Sequence, residues 1–95
     1  MEKNIKDSLR WVNFENNNPQ TRFRVTMQID NFLRTLFNQG YFAGESPSEA
    51  YFVICDSTNN PPEIVDAGYL VVNVGIAINK PAEFVVLVFQ EKTLS

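Results

Sequence analysis

The sequence contains no histidine and a single cysteine, Cys55. Without histidine, the Ser–His and Cys–His pairs that activate nucleophiles cannot be assembled from this chain. One cysteine cannot close an intrachain disulfide, and nothing in the composition demands an oxidising compartment. Cys55 follows Val53 and Ile54 with no cation beside it to stabilise a thiolate, so it reads as a small buried hydrophobe. The four glycines stand apart, which leaves no Gly-rich phosphate cradle. No apolar run approaches the roughly 18 residues of a bilayer-spanning helix. The opening MEKNIKDSLRW holds no apolar stretch of the signal-peptide kind. No dense basic stripe is present to replace phosphate counterions, which disfavours a nucleic-acid partner.

What is present points to a packed domain. Ninety-five residues, 44% hydrophobic and 20% charged, suit one domain (1–95) with a modest core. The acids Glu45, Glu49, Asp56, Glu63 and Asp66 lack the alternating spacing and closing glutamate of a calcium loop, so a solvated loop is the simpler reading and no metal or cofactor is expected. Trp11 and the eight phenylalanines, without arginines on a shared strand face, read as core. The net charge of −3 is uneven. Residues 1–40 carry six bases against four acids, a balance of +2, and residues 41–95 carry two bases against seven acids, a balance of −5. Such polarity suits head-to-tail contact between copies of one chain, or two solvated patches.

Periodicity sets the order of elements. Ile5, Leu9 and Val12 fall at helical spacing and predict a short helix over 2–12. Asn16-Asn17-Asn18-Pro19 breaks it, with Asn18 placed as an N-cap and Pro19 at the first helical position of a second helix running to about Gln39, stopped by Gly40. On that second helix Val25, Ile29, Phe32, Leu33 and Leu36 form one apolar face, while Phe23 and Met27 lie nearly opposite. Packing of this second patch on the first helix and contact with another subunit both account for it. Residues 41–50 read as a turn-rich connection, Tyr51–Cys55 as a short strand, 56–68 as a loop with a helical turn after Pro62, and Tyr69–Ile78 as a strand. Its Leu70, Val72, Val74, Ile76 and Ile78 face is wholly apolar. Asn79-Lys80-Pro81 leads into a final strand, so the last two strands form a hairpin.

That final strand, within KPAEFVVLVFQ, is apolar on both sides. Val85, Leu87 and Phe89 line one face and Phe84, Val86 and Val88 the other. Each large side chain buried is worth about 1.5–3 kcal/mol, so a second apolar face left wet forfeits several. The second helix covers one face, and a further layer or a neighbouring subunit the other; on the latter reading Phe84 to Phe89 are the candidate subunit interface and residues 83–95 the candidate arm for addition to a neighbour's sheet.

The ordered succession of several motifs resembles the C-terminal domain of contractile tail sheath proteins, found in contractile phage tails and phage-like injection particles. Trp11-x-x-Phe14-Glu15 followed by Asn17 resembles the family's Trp-x-x-Phe-Glu-Pro-Asn signature, with Asn16 in place of proline. Phe32-Leu33-x-x-Leu36-Phe37-x-x-Gly40, Gly44 with Pro47-Ser48-Glu49-Ala50-Tyr51, Val53-x-Cys55-Asp56, Gly68, Val74-Gly75-x-Ala77 and Lys80-Pro81-Ala82-Glu83-Phe84-Val85 follow in the family's order, with Ile78 replacing the proline of an Ala-Pro pair. The resemblance spans nearly the whole chain. Family members are much longer, so it implies a fragment or an unusually minimal member.

It further implies an α+β fold, with two N-terminal helices packed on a small, mainly antiparallel sheet and a C-terminal strand available for inter-subunit strand addition. The implied function is structural: a sheath subunit that polymerises around an inner tube and contracts to drive it through a target envelope. Implied partners are other sheath subunits, the inner tail tube protein and the baseplate, within a particle assembled in the bacterial cytoplasm. Arg22, Arg24 and Arg34 become candidates for tube contact. No catalysis is expected. A standalone tail-associated adaptor that uses the same strand for another partner remains the alternative.

Overall fold

The computed structural model describes residues 2–79 and 83–94. It is an α+β fold, with helices on one face of a three-stranded antiparallel sheet in the order β1-β2-β3. The chain runs α1 (Glu2–Ser8), a 3-10 segment (Arg10–Phe14), α2 (Pro19–Asn38), α3 (Pro47–Ala50), β1 (Tyr51–Ile54), α4 (Pro62–Asp66), β2 (Tyr69–Asn79) and β3 (Glu83–Lys92).

α2 begins and ends as its sequence dictates. The Asn18 side chain accepts from the Thr21 N–H at 2.8 Å, and Pro19 takes the first turn, where a missing donor costs nothing. At the far end Gly40 adopts φ 83° and donates to the Phe37 carbonyl, while Tyr41 donates to that of Leu36, the paired bonds of a Schellman stop. The predicted helix over 2–12 is divided instead. After Ser8 the chain tightens into the 3-10 segment, where residues three apart eclipse, and Leu9 and Val12 both reach the core fully buried. The predicted connection at 41–50 contains the single turn α3, with Pro47 at its start and the Glu49 carboxylate accepting from the Glu45 N–H.

The core lies between α2 and the sheet. Val25, Ile29 and Leu33 of α2 meet Leu70, Val72, Val74 and Ile76 of β2, with Ile5, Leu9, Val12 and Phe89 closing the sides. Ile78, expected on the buried face, is exposed, because the register shifts between Ala77 and Asn79 as the strand leaves the helices. The hairpin forms as predicted, β3 pairing with β2 from Tyr69↔Lys92 to Asn79↔Glu83. The connecting residues 80–82 lie outside the described residues.

Candidate assembly surface

In register, Val85, Leu87 and Phe89 stand beside Ile76, Val74 and Val72 and face the helices. Phe89 is buried and Leu87 packs against the core. Phe84, Val86 and Val88 stand beside Ala77, Gly75 and Asn73 on the other face, and remain 41%, 51% and 64% exposed. The six residues are thus divided between two faces. Phe89 and Leu87 hold the strand to its own domain; Phe84, Val86 and Val88, with half-exposed Val85 at the sheet's end, stay open to solvent.

The second face has structure of its own. Phe52 of β1 lies across Gly75, so close that a Cβ there would stand 1.9 Å from its ring, and meets Phe84 edge-on with centroids 5.2 Å apart. Only glycine allows this bridge between the two outer strands. Ile54 and Val88 flank Asn73, whose Oδ1 is buried with no hydrogen-bond donor among the described residues. An orphaned acceptor of this kind costs about 1–3 kcal/mol until a donor reaches it. The alternation of Val85, Leu87 and Phe89 with Phe84, Val86 and Val88 was legible in sequence; the contribution of Phe52, Ile54 and Asn73 was not, since their cross-strand register was unknown.

The backbone of β3 matters as much as its side chains. Successive residues of a strand turn their N–H and C=O groups to opposite sides. Thr93 donates to Gly68 on the β2 side, so the odd-numbered residues Val85 to Glu91 face β2 and the even-numbered Phe84, Val86, Val88 and Gln90 face outward. Among the described residues no hydrogen bond reaches those four outward pairs of groups. Lys92 and Leu94 continue the row, and both are engaged: the Asn13 amide donates to the Lys92 carbonyl at 2.7 Å, and the Leu94 N–H donates to the Glu15 carbonyl at 3.0 Å.

The three arginines do not form one surface. Arg22 donates to the Asn17 side chain at 2.7 Å and lines a cavity of about 500 Å³ with Pro19, Phe23, Val53, Cys55 and Asp56. Arg24, about 200° away around the helix, lies 4.4 Å above the Trp11 ring and pairs with Glu15 at 3.3 Å. Arg34 pairs with Asp30 at 3.0 Å, and the Tyr51 hydroxyl, followed by the Asp30 charge, raises its pKa further. Phe23 is 65% exposed and Met27 also open to solvent, so the second apolar patch of α2 is not covered by the first helix, whose Ser8 carbonyl and Trp11 engage Gln28 instead.

The polar groups of the 55–60 loop are engaged locally. Burial pushes the Cys55 thiol up to about 12, beyond reach of a thiolate mechanism near neutrality. The Asp56 carboxylate accepts from the Thr58 hydroxyl and N–H, which hold it below the usual carboxylate range. Among the described residues no three acids or thiols come together as a metal-ligand set, and no helix is long and apolar enough to cross a membrane.

No family model matches the chain, and no curated protein does. Among solved structures, a chain in the cryo-EM structure of the anti-feeding prophage (AFP) baseplate, 6-fold symmetrised, matches with TM-score 0.77 and 36% sequence identity over 97% of this chain. This chain spans 26% of that chain's length. The resemblance read from the motifs is therefore met at the level of a phage-like particle: the similar structure is a prophage baseplate, and its description names no sheath.

Proposed function

We propose that this chain is a structural, non-catalytic component of a contractile injection particle, joined to neighbouring subunits along β3. The observation that carries this reading is the coincidence, on one strand, of four outward-facing residues without backbone partners among the described residues and an exposed apolar row, Phe84, Val86 and Val88. An unpaired edge accepts an extended strand, and an apolar row beside it adds contact area to the backbone bonds. Sequence and fold similarity to a chain of a prophage baseplate supports the particle as its setting.

The finer reading is a sheath-type subunit, which stacks with its own copies around an inner tube and stores the energy of contraction as a difference in intersubunit contacts between two arrangements. The ordered motifs support it. The tube protein is then a partner, met by Arg24 and Arg34, whose side chains both stay 58% exposed beside Glu15 and Asp30, while Arg22 is partly buried on Asn17. A second reading, a baseplate-associated adaptor, is favoured by the description of the similar structure. Electron microscopy of the purified chain, with and without the tube protein of its particle, separates them. Rings or tubes that disappear in Val86→Asp are expected for the sheath reading. A strict monomer that binds one particle protein through β3 favours the adaptor, and a monomer that binds none overturns both.

A further inference from the structure

Lys92 and Leu94 belong to the same outward row as Phe84, Val86, Val88 and Gln90, yet among the described residues they alone are hydrogen-bonded from outside the sheet. The groups that meet them come from one short stretch, Asn13 and Glu15, at the end of the 3-10 segment. That stretch is anchored at three further points. Val12 is fully buried, the Trp11 indole donates to the Gln28 side chain at 2.7 Å, and Arg24 of α2 holds both the Trp11 ring and the Glu15 carboxylate. It cannot swing away without opening the core.

We infer that the 3-10 segment is a strap that closes the C-terminal end of β3's outer edge, so that a neighbouring strand can add only along Phe84–Gln90. The inference rests on the strand-addition reading for its consequence, although the strap itself belongs to the lone chain. The open window spans seven residues, about 23 Å of strand. An incoming strand that continued past Gln90 would have to displace the Asn13 amide and the Glu15 carbonyl. The strap therefore acts as an end stop: it fixes how far a neighbour can slide and thereby its register. Register matters because a slip of one residue turns every side chain of the added strand to the opposite face.

Amide hydrogen exchange on the unaltered chain and on Asn13→Ala tests this, with Asn13→Asp as a second variant that keeps the side chain's shape and removes its donor. In the lone chain, the amides of Phe84, Val86, Val88 and Gln90 should exchange rapidly and that of Leu94 slowly. Both variants should speed Leu94 on the order of tenfold while the amides of Val72 and Val74 stay protected. A Leu94 amide as fast as that of Val88 in the unaltered chain, or unmoved in both variants, overturns the strap. In assembled material, new protection should appear at Phe84 to Gln90 and stop short of the Lys92 amide, reaching it only in the variants. Protection of Lys92 in unaltered assemblies overturns the end stop. Should the unaltered chain fail to assemble, the strand-addition reading falls separately, and exchange in the lone chain still decides the strap.

Discussion

On the β1 side of β2, the outward backbone row from Tyr69 to Ala77 is met by partners of four kinds. The Asn17 amide reaches the Tyr69 carbonyl, Asn60 bonds both the N–H and the C=O of Val71, β1 itself covers Asn73 and Gly75, and the Ala43 N–H closes on the Ala77 carbonyl. On the outer side of β3 no hydrogen bond among the described residues reaches the equivalent row from Phe84 to Gln90. β1 is only four residues long, so the chain supplies side chains and loop backbone where that strand runs out. One edge is thus closed by β1, two asparagines and an alanine N–H, whereas among the described residues hydrogen bonds reach the outer edge of β3 only at its C-terminal end, from Asn13 and Glu15.

The comparison breaks most visibly at Asn60. This buried amide imitates a strand: it accepts from Val71 N–H and Asn17 and donates to the carbonyls of Val71 and Asp56. Asn60→Ala should cost about 3–4 kcal/mol, since it leaves several buried backbone and side-chain groups unpaired, and chemical denaturation measures it. It should also turn the β1 side into a second open edge, so self-association is expected to rise as stability falls. A loss below about 1 kcal/mol would show that water replaces the amide and that the closed edge is less closed than its bonds suggest.

Much of this was legible in the residues and some was not, for a physical reason. Helix and strand periods report which side chains are buried, so α2 with its Asn18 cap and Gly40 stop, the terminal hairpin and the two-faced β3 follow from spacing alone. Asn60 and Asn13 were missed because a polar side chain's bond to backbone far along the chain leaves no period. The three arginines show the same gap: they share one helix, but their local partners, Asn17, Glu15 and Asp30, could not be assigned from spacing alone.

The two faces of β3 give the next, smaller difference. Leu87→Asp places a carboxylate against the core and should destabilise the lone chain by at least about 2 kcal/mol. Val86→Asp, one residue away but on the exposed face, should change the stability of the lone chain by less than about 0.5 kcal/mol while abolishing assembly. Equal losses in thermal denaturation would mean that the second face is already buried in the lone chain. Deleting residues 83–95 is a poorer test, because it removes Phe89 from the core and would unfold the domain along with any interface.

The smallest effect is one of reactivity, and it compares the closed and open sides without disturbing the fold. Cys55 follows β1 and is 6% exposed, with burial, ahead of any charge, pushing its thiol up to about 12. A thiol whose folded pKa stands above its unfolded value of about 8.5 stabilises the fold fully below that pH, and loses the contribution as pH rises toward 12. Between pH 7 and 8.5, therefore, neither stability nor protection should change, and iodoacetamide should label the native chain at least about tenfold more slowly than the denatured one. A cysteine placed on the open side, in Cys55→Ala with Val88→Cys, should react at close to the denatured rate in the lone chain and become protected on assembly. Labelling of native Cys55 at the denatured rate would show that the wall of α2 and β1 opens readily, and the contrast between the two edges would then be one of hydrogen bonding alone.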